Sequence, residues 1–365
     1  MNPYDFVRLP DRVARERVIT HESMLGRAGR VRGGRIRCGL TAITPIFIPA
    51  NQAGAGVQHF MTVRYNGAEL PVIPGSSLKG VIRCVAEAVS LSCIGLSGEL
   101  IERGQMRAGY HGAMNKDFVT CDVPARLCPA CRLFGMVGRD SHFLGKVSIS
   151  DARTQPGRFA RGDQMILKPL MGPKPAHSAF YVPGGKVAGR KFYFHHSLPP
   201  KTVMQGSSYT KTIVPLVGGV DSEGNPRTMF EFDVVFSNLT EEEYSLLLFS
   251  LILTEEMRHK IGGGKPLGLG TVRIEVAEIL ETDANQRYRG LSARKTGPAP
   301  CASLVGDALR THLQVSTARI TESPSPSLED LQYIWLYPPA DGEDYVYPDQ
   351  EWFNQNSQVA LRDTP

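Results

Sequence analysis

The sequence predicts an α+β fold, in which the strands form one antiparallel sheet and two amphipathic helices cover one face of it. Two segments carry this prediction, because residues 74–91 and 240–255 place apolar side chains at helical spacing directly after segments rich in β-formers. The 37 glycines and 26 prolines in 365 residues predict many turns and long loops. A helical bundle is therefore excluded.

The first half begins with a predicted strand at 35–48, which is rich in β-formers. His59–Tyr65 and Glu69–Ile73 flank Asn66-Gly67, a dipeptide typical of a type I′ hairpin. After Pro74-Gly75, apolar residues from 78 to 89 predict a helix that either of two adjacent serines can cap. A strand, a turn and a helix thus follow one another.

The second half repeats this order around two loop-rich stretches. Residues 146–150 and 228–236 predict strands, Thr240 caps a helix that runs to residue 255, and 271–277 predicts a further strand. Without insertions at 93–145 and 155–227, the order matches a ferredoxin-like arrangement. We therefore expect a core at 1–282 and a C-terminal extension at 283–365, whose aromatic residues predict docking on the body or on a neighbour.

The overall charge is mildly basic, with a formal net charge of +5 and a pI near 8.8. This balance is compatible with a polyanionic partner, and five arginines crowd residues 27–37, although a solvated basic face has the same composition. The sequence has no signal-peptide profile and no apolar run of membrane-spanning length. We expect a cytoplasmic protein with reduced cysteines and no membrane partner.

Three of the seven cysteines are clustered, as Cys121-x6-Cys128-Pro-Ala-Cys131. A Cys-x2-Cys turn presents two thiolates at the spacing that tetrahedral zinc requires, and Cys121 offers a third. His111 is the expected fourth ligand, with Cys93 in reserve. The alternatives are a redox function or unligated thiols. We expect a structural Zn²⁺, because this loop-rich stretch has little core of its own.

Two further motifs carry possible anion sites. In PGSSLKG, the residues Ser76, Ser77 and Lys79 lie at a helix N-terminus, with Arg83 one turn on, although simple capping explains the serines equally. In IGGGKPLGLG, glycines 262–264 allow close backbone approach and Lys265 adds charge, while a plain helix-to-strand turn is the alternative. The second motif is no Walker A loop, since Pro266 follows the lysine.

The segment GRKFYFHH at 189–196 interleaves Arg190 and Lys191 with aromatic residues. This composition suits single-stranded nucleic acid, through phosphate contacts and base stacking, but a half-buried strand has the same composition. The two histidines are adjacent, so on a strand only one of them can face a given site.

Together, IPGSSLKGVIR, the cysteine turn that runs into CPACRLFG, and GGGKPLGLGTV resemble the RAMP superfamily of CRISPR-associated proteins. Within it, the chain is most similar to the backbone (Cas-seven) group of type III systems. The opening NPYDFVRLP and GRKFYFHH are closest to the type III-D-like branch and the related type VII systems. The resemblance covers roughly residues 1–280.

This resemblance implies an RRM-like core, a thumb-like β-hairpin inserted in it, and copies stacked along a guide crRNA that pairs with target RNA. It places the thumb in 155–200, with Met165, Ile166 and Leu167 as candidate wedge residues. It also implies that the guide backbone contacts Ser76, Ser77, Lys79, Arg83 and loop 262–265, with Arg132 and Phe134 near it. The implied partners are further copies of the chain, a capping subunit, other effector subunits and a separate nuclease.

One departure concerns catalysis. Active type III backbone subunits of this kind cut target RNA with an Asp in the loop after the first strand, and the corresponding loop here, 49–58, has no Asp or Glu. Asn51 and Gln52 cannot act as a carboxylate base. We therefore expect no catalytic residue and a subunit that binds RNA. The alternative is a metal-independent ribonuclease that uses His59, His195 or His196.

Overall fold

The structure is a computed structural model, which describes most residues of the chain. These are 2–18, 31–50, 56–65, 67–94, 116–138, 140–167, 178–196, 211–224, 226–282, 301–339, 345–348 and 350–363.

Within them the chain forms strands β1–β20 and helices α1–α7. The strands are β1 Tyr4–Val7, β2 Glu16–Arg17, β3 Arg32–Ala42, β4 Gln58–His59, β5 Thr62–Tyr65, β6 Ala68–Ile73, β7 Arg126–Leu127, β8 Gly135–Val137, β9 His142–Leu144, β10 Val147–Ile149, β11 Ala152–Arg153, β12 Phe159–Arg161, β13 Met165–Leu167, β14 Arg190–Tyr193, β15 Lys211–Val214, β16 Leu216–Gly218, β17 Phe230–Leu239, β18 His259–Lys260, β19 Thr271–Thr282 and β20 Cys301–Leu304. The helices are α1 Gly75–Val89, α2 Pro129–Phe134, α3 Ser178–Tyr181, α4 Glu241–Ile252, α5 Gly306–Thr321, α6 Pro326–Trp335 and α7 Gln350–Gln355. The predicted mixed α+β class is confirmed.

A central sheet organises these elements in the order β18-β19-β3-β17-β11-β6-β5, with β10 also paired to β17 and β20 to β19. Strand β3 pairs antiparallel with both β17 and β19. Along β3 and β17, side chains alternate between a buried face and an open face, as expected for a sheet covered on one side. The buried face carries Ile36, Leu40, Phe232 and Val234.

Helices α1 and α4 cover the buried face and pack against each other. Helix α4 begins with the predicted cap, because the Thr240 hydroxyl accepts from the Glu243 amide and the Glu243 carboxylate accepts from the Thr240 amide. The Glu243 carboxylate is 3% exposed and also binds Lys146 at 2.7 Å and Arg132 at 3.1 Å. One buried acid thus ties the start of α4 to the residue before β10 and to α2.

The second predicted insertion has a paired base. β12 pairs with β16 and β13 with β15, so residues 159–167 run antiparallel to 211–218. Between them, the chain returns to the body, where β14 pairs with β1. Met165, Ile166 and Leu167 lie in the paired base, and Leu167 is packed in a small core with Phe47 and Ile213. Leu167 is therefore in no position to act as a wedge.

The C-terminal extension docks on the body in its described part. Helix α5 packs on α4, and α6 packs on α1 and β1, where Asp330 accepts two hydrogen bonds from the Arg8 guanidinium at 2.7 Å. Further along, the Tyr345 ring stacks on Phe194 with centroids 4.7 Å apart. The aromatic residues of this segment therefore complete a second core. In the described part of the chain, every helix is too short or too polar to cross a bilayer.

Candidate functional site

Four cysteines converge beside helix α1. Cys93 follows the end of α1, Cys121 precedes β7, and Cys128 and Cys131 lie at the start of α2. All four are buried, and their sulfurs lie within 4.8 Å of one another. We call them the tetrathiol cluster. Cys93 thus completes the set, while His111, the expected fourth ligand, lies outside the described residues.

The spacing of these sulfurs fits a tetrahedral zinc ion. With Zn–S bonds of about 2.3 Å, tetrahedral geometry puts sulfurs about 3.8 Å apart. The Cys93 Sγ lies 3.7 Å from the Cys131 Sγ and 3.6 Å from the Cys128 Sγ. Hydrogen bonding to Cys121, then to Cys131 and Cys93, lowers the pKa of the Cys128 thiol below its ordinary value.

A buried cation beside the cluster gives a second observation of fit. The Arg190 guanidinium donates from Nη2 to the carbonyls of Ser92 at 2.9 Å and Cys93 at 2.7 Å, while its Nε and Nη1 are buried without a hydrogen-bond partner. Burial lowers the pKa of Arg190 below its ordinary value. A zinc ion held by four thiolates carries a net charge of −2, which would compensate this cation.

Helix α1 is fastened to the cluster by Arg83. Its guanidinium contacts the Cys131 sulfur at 3.5 Å, the Gly135 carbonyl at 2.9 Å and the Glu87 carboxylate at 2.7 Å. The predicted RNA contact is therefore already engaged by the protein. The contacts of Arg83 instead hold the tetrathiol cluster against α1.

The exposed side of α1 is a strip of small residues with lysines on its borders. Ser76, Gly80 and Cys84, each one turn apart, are exposed. Lys79 lies beside Arg83 on the helix, and Lys265 interacts electrostatically with Cys84. We call Ser76, Gly80, Cys84, Lys79 and Lys265 the α1 strip. Two motifs far apart in sequence thus meet on one helix.

Both lysines of the α1 strip are half-buried, and neither has a hydrogen-bond or ion-pair partner among the described residues. Burial lowers the pKa of each ammonium below its ordinary value. An ammonium that loses water without gaining a counter-ion is unfavourable, and an anion placed against the strip would relieve this.

The glycine-rich loop 262–265 has a different role from the phosphate binding that its sequence predicts. The Gly263 amide donates to the Phe47 carbonyl at 2.8 Å, so it is not available to a phosphate. Gly262 has φ +83°, and a Cβ there would lie 2.4 Å from the same carbonyl. Gly262, Gly263 and Gly264 therefore serve close packing, and the loop's contribution to the strip is Lys265.

The N-terminus of α1 also differs from the expectation. Pro74 stands at the N-cap position with no side-chain cap, so the two serines do not cap the helix. The Asp151 carboxylate accepts from the Gly75 amide at 2.8 Å. The anion favoured by this helix end is thus in part supplied by the protein itself.

Four other predicted contacts have structural partners instead. Arg132 is bound between Glu243 and Glu16, and Phe134 is 4% exposed in the core, so neither side chain is free to contact a strand of RNA. Arg190 supports the backbone of Cys93, as described above. The Lys191 ammonium lies 3.6 Å from the centroid of the Tyr4 ring, and burial lowers its pKa to about 8.

The arginine-rich stretch is neutralised where it is described. Arg32 binds Glu241 and Glu281, Arg35 binds Asp233, and Arg37 binds Glu278. The three arginines lie on β3, and their acids lie on β17, on β19 and at the start of α4. The basic charge evident in the sequence is therefore cancelled across the sheet, as a solvated face would be.

The histidines proposed for catalysis are differently placed. His195 is buried, with Nδ1 bonded to the Thr271 hydroxyl at 3.0 Å and Nε2 to the Arg258 carbonyl at 3.0 Å, and burial lowers its pKa well below the ordinary value. Both ring nitrogens are thus engaged, which leaves none for a substrate. His196 packs against Gly268 and Tyr345, and His59 is exposed on β4.

Two features were missed by sequence reasoning. Lys260 is 2% exposed, its ammonium donates to the Phe194 carbonyl at 2.6 Å, and burial lowers its pKa to about 7. Arginines at 12, 15 and 126 line a common cavity. The run DRVARER at 11–17 was the available signal for the second feature.

Fold and site together define an α+β protein with a tetrathiol cluster beside helix α1, against which Lys79 of the helix and Lys265 of the glycine-rich loop lie without an ion-pair partner among the described residues. A family model described as the RAMP superfamily matches residues 39–273, which is more than half of the chain. The chain therefore belongs to the RAMP superfamily, and the family resemblance predicted from its motifs is confirmed.

Two solved structures are similar at low identity. Csc2 of Thermofilum pendens is 17% identical, with 82% of this chain and 80% of that chain covered, at a TM-score of 0.35. A chain of a type IV-B CRISPR complex is 16% identical, with 67% of this chain and 90% of that chain covered, at a TM-score of 0.34. None of the curated proteins matches.

Proposed function

We propose that this chain is a guide-RNA-binding backbone subunit of a CRISPR effector complex, which lines the guide as one of several copies and does not itself cut RNA. Membership of the RAMP superfamily supports the class. The observation that carries the proposal is the α1 strip, where Lys79 and Lys265 lack a counter-ion among the described residues. A phosphodiester backbone supplies the missing negative charge.

The shape of the strip supports the same ligand. Small side chains at Ser76, Gly80 and Cys84 leave room for a sugar–phosphate chain to approach the helix, and a Cβ added at Gly80 would meet no atom within 4 Å. Ser76 and Ser77 can donate to phosphate oxygens. The contacts are with the backbone, so binding is tolerant of base sequence.

The tetrathiol cluster is assigned a structural zinc ion. Cys93, Cys121, Cys128 and Cys131 would hold it, and four protein ligands leave no open position for a substrate. When bound, the ion would order the loop that precedes α2. Arg83 and Arg190 position this centre against α1 and β14.

We propose that the core is ferredoxin-like and of the RRM-like type. The strand order β19-β3-β17-β10, with α1 after β3 and α4 after β17, supports this assignment. We propose the paired base 159–218 as the root of the thumb. The proposed partners are the guide crRNA, target RNA, further copies of the chain, a capping subunit and a separate nuclease. We propose that they assemble in a type III-D-like or type VII complex.

The proposed lack of nuclease activity rests on the loop 49–58, which has neither Asp nor Glu. His195 has both nitrogens engaged, which disfavours it as a general base. The second candidate function is a ribonuclease of the same superfamily. The exposed position of His59 is the observation that favours it.

The test is co-expression of the full chain with a guide RNA, followed by incubation of the assembled complex with labelled target RNA and magnesium. We expect a ribonucleoprotein assembly, with the target bound and intact. Lys79→Ala/Lys265→Ala should reduce the co-purified RNA, whereas Arg310→Ala on the exposed side of α5 should not. Regularly spaced cuts that His59→Ala abolishes would establish the nuclease instead.

A further inference from the structure

A cavity of about 570 Å³ lies where the N-terminal segment meets the loop before β7. Its lining residues are Arg12, Val13, Ala14, Arg15, Glu16, Asp122, Val123 and Arg126. Pockets for small organic ligands have volumes of about 300–1,000 Å³, so this cavity can hold one nucleotide unit. It is separate from the α1 strip.

Three guanidinium groups dominate the charge of this cavity. Arg15 donates to the Val119 carbonyl at 2.8 Å, Arg126 reaches only the Arg15 carbonyl, at 3.4 Å, and Arg12 has no hydrogen bond or ion pair to any described residue. None of the three is paired with a carboxylate in the described chain. All three keep donors for an incoming anion.

The two acids of the lining do not cancel this charge. Glu16 is bound to Arg132 at 2.8 Å, which leaves Asp122 as the one remaining acid among the described lining residues. Three arginines against one carboxylate give a local balance of +2. The valines add an apolar surface, since Val123 is 52% exposed.

The walls are held in place by the backbone. β2 pairs with β7, the Val18 amide donates to the Ala125 carbonyl at 3.0 Å, and the Ala14 amide donates to the Leu91 carbonyl at 2.9 Å. Cys121 and Cys128 bracket the loop that supplies Asp122, Val123 and Arg126. The tetrathiol cluster therefore fixes one wall of the cavity.

We infer that this cavity binds one nucleotide of single-stranded RNA, with its phosphate on the arginines and its base or ribose against Val13 and Val123. Guanidinium forks match phosphate oxygens, and an apolar wall accepts any base. This inference rests on the proposed function. It gives the loop between Cys121 and Cys128 a second role, as the wall of an RNA-binding cavity. Arg83 of α1 contacts Cys131 of the tetrathiol cluster, and the same cluster holds the loop that lines the cavity. The RNA bound at α1 and the nucleotide bound in the cavity would therefore share one structural support.

The experiment compares Arg12→Ala/Arg126→Ala with the wild-type full chain, using a fluorescein-labelled oligouridylate as the probe. Anisotropy titrations over a series of salt concentrations give the affinity and its salt dependence. We expect the double variant to lose about 10-fold or more in affinity, as two charge-assisted contacts are removed. The slope of log affinity against log salt should become shallower by about 0.7, because the cavity takes one phosphate and each phosphate contact on a single strand contributes about 0.7.

Two matched variants control for charge and geometry. Arg310→Ala removes one exposed arginine on α5, and we expect it to keep the wild-type affinity and slope. Arg12→Lys/Arg126→Lys keeps the charge without the fork, so we expect it to keep the slope and lose part of the affinity. Zinc content and melting temperature, measured for every variant, verify that each is folded.

The outcomes separate the two levels of inference. Wild-type chain that fails to bind the probe overturns the proposed function and this inference with it. Wild-type binding with an unchanged double variant overturns the cavity assignment alone. A double variant that binds the probe normally but no longer assembles into multimers also overturns it, since the cavity then accepts a protein segment.

Discussion

Cys93 decides whether the tetrathiol cluster is a metal site with four protein ligands. We consider the substitution Cys93→Ser, which removes the sulfur that lies 3.7 Å from Cys131 and 3.6 Å from Cys128. Serine keeps the size of the side chain but is a poor zinc ligand at neutral pH. The change therefore tests ligation with little change in packing.

The expected magnitude follows from the geometry. Loss of a partner that merely orients a ligand weakens metal binding by about 10- to 100-fold, so loss of a direct ligand should cost about 100-fold or more. At a fixed excess of zinc, this corresponds to about 2.7 kcal/mol less stabilisation of the folded chain. The melting temperature of the variant should be several degrees below that of the wild type. EDTA should lower the melting temperature of the wild type toward that of the variant.

The assay is zinc content by plasma mass spectrometry, combined with thermal unfolding with and without EDTA. Cys84→Ser is the control, because Cys84 is exposed on α1 outside the cluster. It should retain one zinc ion per chain. If Cys93→Ser also retains it with unchanged affinity while His111→Ala loses it, the fourth ligand is His111 and the reasoning from sulfur spacing is refuted.

Three further predictions concern the groups that hold the fold together. Glu243→Gln removes the carboxylate that pairs with Lys146 and Arg132 and leaves Arg132 with Glu16 alone, so it should lower the free energy of unfolding by about 3 kcal/mol, measured by urea titration. For Lys260, the folded pKa of about 7 lies below the unfolded value, so the unfolded chain binds more protons between pH 7 and 10 and stability rises with pH in that window, by about 4 kcal/mol at most. Lys260→Met should flatten that rise in urea titrations across the window, and an unaltered slope would contradict the assignment. Tyr345→Ala removes the ring stacked on Phe194 and should cost about 3 kcal/mol, visible as a lower melting temperature.

The elements that sequence reasoning predicted well are those with a local signal. The predicted hairpin is present as the antiparallel pair β5 and β6, with Asn66 of its turn outside the described residues, and the Thr240 capping box opens α4. Turn chemistry and capping depend on residues a few positions apart, so both could be predicted locally. The ends of strands differ from the predicted ends where pairing with other strands decides them. β19 extends to Thr282 because β3 and β20 supply partners on both sides.

The site was predicted in part. Three of the four cysteines in the cluster share one short segment, so their spacing was readable, whereas Cys93 lies 28 positions before Cys121 and joins them only through the end of α1. Phe134 shows the opposite error. An aromatic residue next to a Cys-x2-Cys turn has the composition of a stacking surface, but its burial depends on the packing of α2 against α4.

The sequence by itself determined the family, the α+β class and the residue types of the Cys-x2-Cys turn, since each depends on motifs with fixed local spacing. Only the tertiary structure decided which charges are paired. Arg32, Arg35 and Arg37 lie in the most basic stretch of the sequence and are neutralised by acids from three other elements. Lys79 and Lys265, which come from separate motifs, meet on α1 without a counter-ion in the described chain. Electrostatic interaction depends on distance in space, and that distance is set by packing between residues far apart in the chain.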